Sequence, residues 1–195
     1  AESMNEEHVQ LLRRFRLVEI AMKVVGVGSV GTRCLIALLH GRDEDDVLFL
    51  QVKEAEHSVL APYAGASAQD HQGERVVVGQ RLMQAASDMF LGWTVGPFGN
   101  HYYIRQLRDM KGSVAIDGLP PEGLVRYGEL CGRTLGRAHA RSADPMAIAG
   151  YLGKAERFDE AMAEFALAYA DQTERDHARF LSAIDDGLIT AEYGV

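Results

Sequence analysis

Cysteine is scarce in this chain. Only Cys34 and Cys131 occur, with no C-x-x-C or other metal-ligand spacing. They read as buried thiols of a reducing compartment, and the cytoplasm is the expected location. Positive charge is also in deficit. Twenty Lys and Arg against 28 Asp and Glu give a formal net charge of -8, so nucleic acid is not an expected partner. No stretch approaches the roughly 20 apolar residues that span a bilayer, and no membrane partner is expected. The start, Ala1 to Glu7, is acidic where a secretory leader needs basic residues. Its first residue is not Met, which suggests a piece of something longer. Internal repeats and low-complexity tails are absent. What remains is 195 residues with 47% hydrophobic and 25% charged, enough for one domain or two small lobes around a substantial core.

Against this plain background stands Val24-Val25-Gly26-Val27-Gly28-Ser29-Val30-Gly31, followed by Leu50-Gln51-Val52-Lys53. A G-x-G-x-x-G turn removes side chains where backbone must approach phosphates closely. A lysine at the end of a following strand supplies positive charge to the same phosphates. Together they point to a nucleotide, and two folds use these letters.

In a dinucleotide fold, Lys23 to Val27 is the first strand. Gly31 to Leu39 opens a helix whose N-terminus holds a pyrophosphate. Glu54 is then the acid that meets a ribose. In a kinase-like lobe, Met22 to Val27 and Thr32 to Leu39 are instead antiparallel strands, and the glycines form the flap between them. Lys53 lies on the third strand, and Glu74 on the next helix pairs with it.

The order of elements bears on this choice. Glu6 to about Ile20 reads as a helix with Val9, Leu11, Leu12, Phe15, Leu17 and Val18 on its apolar side. Val47 to Glu54 reads as a strand, Pro62 to about Asp70 as a loop, and His71 to Ser87 as a helix. Met89 to Thr94 and His101 to Leu107 read as a hairpin turning at Gly96-Pro97-Phe98-Gly99-Asn100. Beyond Asp117 only helices follow. One runs over Glu122 to Arg141 with Pro121 at its start. Another covers Asp159 to Ile184, with Met162, Phe165, Tyr169, Phe180 and Ile184 on its apolar side. A doubly wound fold needs strands and helices to keep alternating. The expected class is therefore α+β: a kinase-like antiparallel β-sheet lobe with one helix, then a helical lobe. The lobes are residues 1–117, with the N-terminal helix, and residues 118–195, together one compact unit.

Phosphoryl transfer needs an aspartate to orient the acceptor and another to hold magnesium. His139-Ala140-Arg141-Ser142-Ala143-Asp144-Pro145-Met146 occupies the usual place with no asparagine at the usual spacing, and no D-F-G or D-x-D follows. Catalytic residues are accordingly not assigned, and no metal ligands are assigned.

Several stretches resemble a bacterial family of uncharacterised proteins, the domain of unknown function 2252. They are Lys23 to Cys34 (KVVGVGSVGTRC), Phe49 to Ala55 (FLQVKEA), Gly73 to Val77 (GERVV), Arg105 to Ser113 (RQLRDMKGS), Ala138 to Ser142 (AHARS) and Ile148 to Gly153 (IAGYLG). The resemblance covers nearly the whole chain. It implies longer proteins whose upstream half carries G-D-x-H-x-x-N-F-G and F-D-x-N-D-F-D-like stretches, similar to the catalytic loop and metal-binding acids of aminoglycoside-phosphotransferase-type kinases. On that resemblance this chain is the C-terminal half, the ATP-binding part of a phosphotransferase whose catalytic acids lie elsewhere, and by itself inactive. ATP with magnesium is the implied ligand. The missing half, or a second copy of the chain, is the implied partner.

The expected nucleotide-binding residues are Gly26, Gly28, Ser29 and Gly31 over the phosphates, Lys53 on the α- and β-phosphates, Glu74 as its partner, and Arg105. Arg108 and Lys111 are further cations beside the pocket. Two other functions stay open from the residues alone: a dinucleotide-binding oxidoreductase fragment, and a non-catalytic interaction module with a kinase-like shape. Gly128, Gly132 and Gly136, every fourth residue on one helix, suggest close helix packing. Trp93, the only tryptophan, is expected in the core.

Overall fold

The structure, a computed structural model, describes residues 3–23, 26, 29, 31–107, 114–154 and 156–192. Gly28, Arg108 and Lys111 lie outside the described residues. The chain divides into two compact units, Ala1–Ala143 and Asp144–Val195. Composition turns helical near residue 117, yet the division falls later, because the first long helix packs on the sheet unit.

The first unit begins with α1 (Glu6–Leu12), followed by β1 (Arg16–Met22), β2 (Cys34–His40) and β3 (Val47–Glu54). The short α2 (Ala61–Ala64) and α3 (Gln72–Met83) come next, then β4 (Gly92–Val95) and β5 (His101–Gln106). A 3-10 turn over Ile116–Gly118 leads into α4 (Pro121–Ser142). The strands form one sheet in the order β1-β2-β3-β5-β4, and every pairing is antiparallel. The fold is thus α+β, a sheet lobe followed by helices.

Two expectations are corrected here. The first helix was expected to reach Ile20, but it ends at Leu12 and β1 takes over from Arg16. The helical period fits the residues from Val9 to Val18, yet Val18 and Ile20 are β-branched. Pairing with Ala37, Leu38 and Leu39 of β2 overrides the weak helical preference. The strand expected over Met22 to Val27 meets β1 only at Met22, and Val24, Val25 and Val27 lie outside the described residues. The second correction concerns Thr32 to Leu39. The dinucleotide reading makes this segment a helix, whereas Cys34–His40 is strand β2. Its run of Leu and Ile is held between two neighbours, and central strands read as continuous apolar runs.

The two faces of the sheet differ. Directly opposed residues in an antiparallel pair share a face. Ala37 faces Leu50, and Leu39 faces Leu48. These four form the core with Phe90, and Leu11, Leu12 and Phe15 from the α1 segment cover them. Burying four or five such side chains contributes on the order of 10 kcal/mol before chain entropy is subtracted. The other face carries Cys34, Lys53, Tyr103 and Trp93 in one row, and Ile36, Gln51 and Arg105 in the next.

Helix α3 lies on this second face. Gln72 N donates to Nδ1 of His101, 2.9 Å away, and the Arg81 guanidinium sits 5.9 Å over the Trp93 ring. Close approach requires glycine at position 73, where a Cβ would stand 2.2 Å from the Tyr102 carbonyl oxygen. Val77, wholly buried, faces inward one turn on. Trp93 is only half-buried, with Arg81 as its cover.

Helix α4 packs against α3, and Arg141 Nη1 donates to the carbonyl of Gln84. The glycine series does not mark a helix contact. A Cβ at Gly128, Gly132 or Gly136 would meet nothing within 4 Å. Arg133, between Gly132 and Gly136, faces water and pairs loosely with Glu129 at 3.7 Å.

The second unit holds α5 (Pro145–Leu152) and α6 (Arg157–Asp185). Asp144 caps α5, its Oδ1 accepting from Met146 N and Ala147 N, and Pro145 occupies the first turn where no N–H is missed. Gly153 and Gly187, both at positive φ, end the two helices. Phe165 and Tyr169 stack at 5.6 Å on the apolar side of α6. None of the described residues of this unit is buried.

Candidate functional site

The glycine-rich segment is the connection between β1 and β2. The ladder runs on past Met22, with Lys23 N donating to Cys34 O at 2.8 Å. Gly26 has φ +146 and Gly31 has φ +80, both costly for any residue with a Cβ. Nothing stands within 4 Å of the Cβ that either would add, so backbone conformation demands glycine at these two positions, not crowding. Between them Ser29 is buried. Its N–H and its Oγ both donate to the Gly26 carbonyl, at 2.9 and 2.7 Å. Its own carbonyl accepts from Thr32 N and Thr32 Oγ1. A tight polar turn thus joins two antiparallel strands.

Lys53 lies in the next strand but one, paired with Cys34 of β2 and Tyr103 of β5. It is half-buried on the face that α3 covers. Glu74 is in the first turn of α3, three residues before the buried Val77. Sheet and helix therefore bring Lys53 and Glu74 to the same side. They do not bring them into contact: among the described residues the ion pairs within 4.0 Å are His8–Glu7, Arg33–Glu54 and Arg133–Glu129.

Arg105, one row along from Lys53, donates from Nε to Gln51 Oε1 at 3.0 Å. Gln51 is only 2% exposed, and its Nε2 approaches Cys34 Sγ at 3.9 Å. This buried amide fixes the guanidinium beside the row that holds Lys53. Burial pushes the Tyr103 phenol above its ordinary range, the Cys34 thiol adding to this and Arg105 opposing it. Tyr103 is therefore a neutral donor beside Lys53.

Glu54 does something the sequence did not announce. Its side chain is 7% exposed and receives three hydrogen bonds. Arg33 N donates to Oε2 at 3.0 Å, Arg33 Nη1 to Oε1 at 2.9 Å, and Asn100 Nδ2 also to Oε1. Burial favours the protonated acid, but the Arg33 backbone bond, the Asn100 bond and the Arg33 charge outweigh it, and the carboxyl titrates below its usual range. With these partners in place, Glu54 is not an open acceptor for a ribose hydroxyl.

A second arrangement has no local signal in the sequence. His71 Nδ1 caps α3 by accepting from Glu74 N at 3.1 Å, beside the bond from Gln72 to His101. His71 and His101 were too far apart in sequence to suggest a pair, and only the passage of α3 over β5 joins them. Near them an open cleft of about 470 Å³ is lined by Glu54, Glu56, His57, Gln72, Asn100 and His101. None of Gly26, Ser29, Gly31, Lys53, Glu74 or Arg105 lines it.

Among the described residues no group of three or more His, Cys, Asp and Glu is placed to hold a metal ion, and no helix is long and apolar enough to cross a membrane. The family model described as an uncharacterized protein conserved in bacteria, DUF2252, matches residues 1–183. The chain belongs to that family. No curated protein and no solved structure matches it.

Proposed function

We propose that the sheet unit is the ATP-binding part of a kinase-like phosphotransferase whose catalytic acids are supplied from outside this chain. One observation carries the reading. A glycine-rich connection joins antiparallel β1 and β2, and Lys53 lies on the adjoining strand, on the face that α3 and Glu74 share. A phosphate flap and its lysine need that arrangement.

The donor set fits a nucleotide. Lys53 has no hydrogen-bond acceptor or ion-pair partner among the described residues, so its ammonium is available to the α- and β-phosphates. Arg105 spends only Nε on Gln51 and keeps its terminal nitrogens for an anion. Gly26, Gly28, Ser29 and Gly31 close over the phosphates. Glu74 orients Lys53 once the nucleotide draws α3 and the sheet together. Among the described residues no group of three or more His, Cys, Asp and Glu could hold the magnesium ion. The upstream half of the protein, or a second copy of the chain, completes the site. Two free thiols, one of them buried, support a cytoplasmic location.

Titration calorimetry of the full chain tests this. ATP binds saturably, NAD does not, and Lys53→Ala weakens ATP about tenfold or more, the loss of a charge-assisted contact. Equal affinity of wild type and Lys53→Ala for ATP overturns the assignment of Lys53. Absence of saturable ATP binding overturns the reading for this chain.

A further inference from the structure

Glu54 sits where three parts of the sheet unit end. Arg33 closes the glycine turn and leads into β2. Glu54 ends β3. Asn100 closes the β4–β5 turn and leads into β5. A single carboxylate takes one hydrogen bond from the backbone of Arg33, one from its guanidinium and one from Asn100. The backbone repeats the join: Glu54 N donates to Arg33 O at 2.9 Å, and Ala55 N to His101 O at 2.8 Å. His101 in turn holds the first turn of α3 through Gln72 N.

We infer that Glu54 is a positioning residue for the glycine flap: it fixes the C-terminal stem of the flap to the ends of β3 and the β4–β5 turn, and so sets where the flap lies relative to Lys53 and α3. This rests on the nucleotide reading above. Ladder bonds alone leave a hairpin connection free to swing about its last paired residues. Two bonds to Arg33 from a carboxylate anchored on a different hairpin remove that freedom. A carboxylate is required because all three partners are donors. Glutamine offers one oxygen in place of two and turns an NH2 group toward a donor. Residue 53 faces the nucleotide side and residue 54 the opposite side, so Glu54 acts on the flap without touching the phosphates.

The test uses the full chain and two variants, Glu54→Gln and Arg33→Met, the second mild because the arginine side chain is half exposed. Hydrogen–deuterium exchange of ligand-free protein is read first. Both variants speed exchange in the segment over residues 26–33 and leave residues 77–83 of α3 unchanged. ATP and adenosine affinities are read second. A flap that is misplaced loses phosphate contacts, so ATP weakens about tenfold in Glu54→Gln, one charge-assisted bond's worth, while adenosine affinity stays the same. Unchanged exchange over residues 26–33 overturns the proposal, and so does equal weakening of ATP and adenosine. If wild type binds no ATP, the nucleotide reading fails, and the exchange result still decides whether Glu54 holds the turn.

Discussion

The imidazole rings of His71 and His101 stack with centroids 4.0 Å apart and planes 15° from parallel, and each ring accepts a hydrogen bond from the first turn of α3. A helix N-terminus presents unsatisfied N–H groups and a partial positive charge. Two neutral imidazoles meet that need, and imidazolium ions do not. Burial lowers the His101 pKa below 6.5, and the charges of His71 and His57 lower it further.

Stability should therefore fall on mild acidification. The unfolded chain takes up a proton on His101 more readily than the folded one, so this contribution is fully present above pH 6.5. It is lost as pH drops through the lower folded value. Urea unfolding at pH 7.5 and pH 5.5 shows the loss, and His101→Gln flattens the slope between them. An unchanged slope in that variant would remove His101 from the account.

Glu54 acts in the same sense at lower pH. Its folded carboxyl titrates below 4.5, so the stability it contributes is present above that value and is lost as pH falls through the folded pKa. Acid unfolding of Glu54→Gln, followed by far-ultraviolet circular dichroism, should show a shallower dependence below pH 4.5 than wild type.

Two glycines of α3 should respond oppositely to alanine. At position 73 the new methyl meets the Tyr102 backbone at 2.2 Å, and backbone cannot yield as a side chain tip can. Gly73→Ala should cost about 2 kcal/mol or more by overpacking. At position 79 the methyl meets nothing within 4 Å, and Gly79→Ala should add roughly 0.5 to 1 kcal/mol by helix propensity. Thermal unfolding of the two variants reads both signs.

In the second unit, Asp144→Ala removes the cap of α5 and leaves Met146 N and Ala147 N without their acceptor. The expected cost is about 1 kcal/mol, felt locally. Faster amide exchange over residues 146–148, with the sheet unit unaffected, would establish it.

Strand β3 could be read to its last residue, α4 to within one residue and α6 to within two. Each rests on a local signal: the apolar run that opens Val47–Glu54, proline at the start of α4, and a long helical period in α6. Strand β1 could not, because Arg16–Met22 carries a pattern that both helix and strand tolerate, and the decision belongs to β2. The sequence brings out Lys53 and the glycines because their spacing is short. It hides Glu54's partners, 21 residues before it and 46 after it, since register alone brings Arg33 and Asn100 to one carboxylate. The histidine pair is hidden for the same reason, thirty positions apart along the chain and joined only where α3 crosses β5.

Strand β1 is exposed along all seven of its residues, including Leu17, Val18, Ile20 and Met22, and it interrupts its own ladder with a bulge between Leu17 and Glu19. Its attachment is therefore almost entirely backbone to backbone, with little apolar burial to hold it. Such a strand opens at a free energy well below that of the whole unit. Since β1 is also the stem by which the chain enters the glycine turn, the two ends of that turn have unequal footing. One is tied down at Arg33, and the other can peel from the sheet edge while the core between α1 and β3 stays folded.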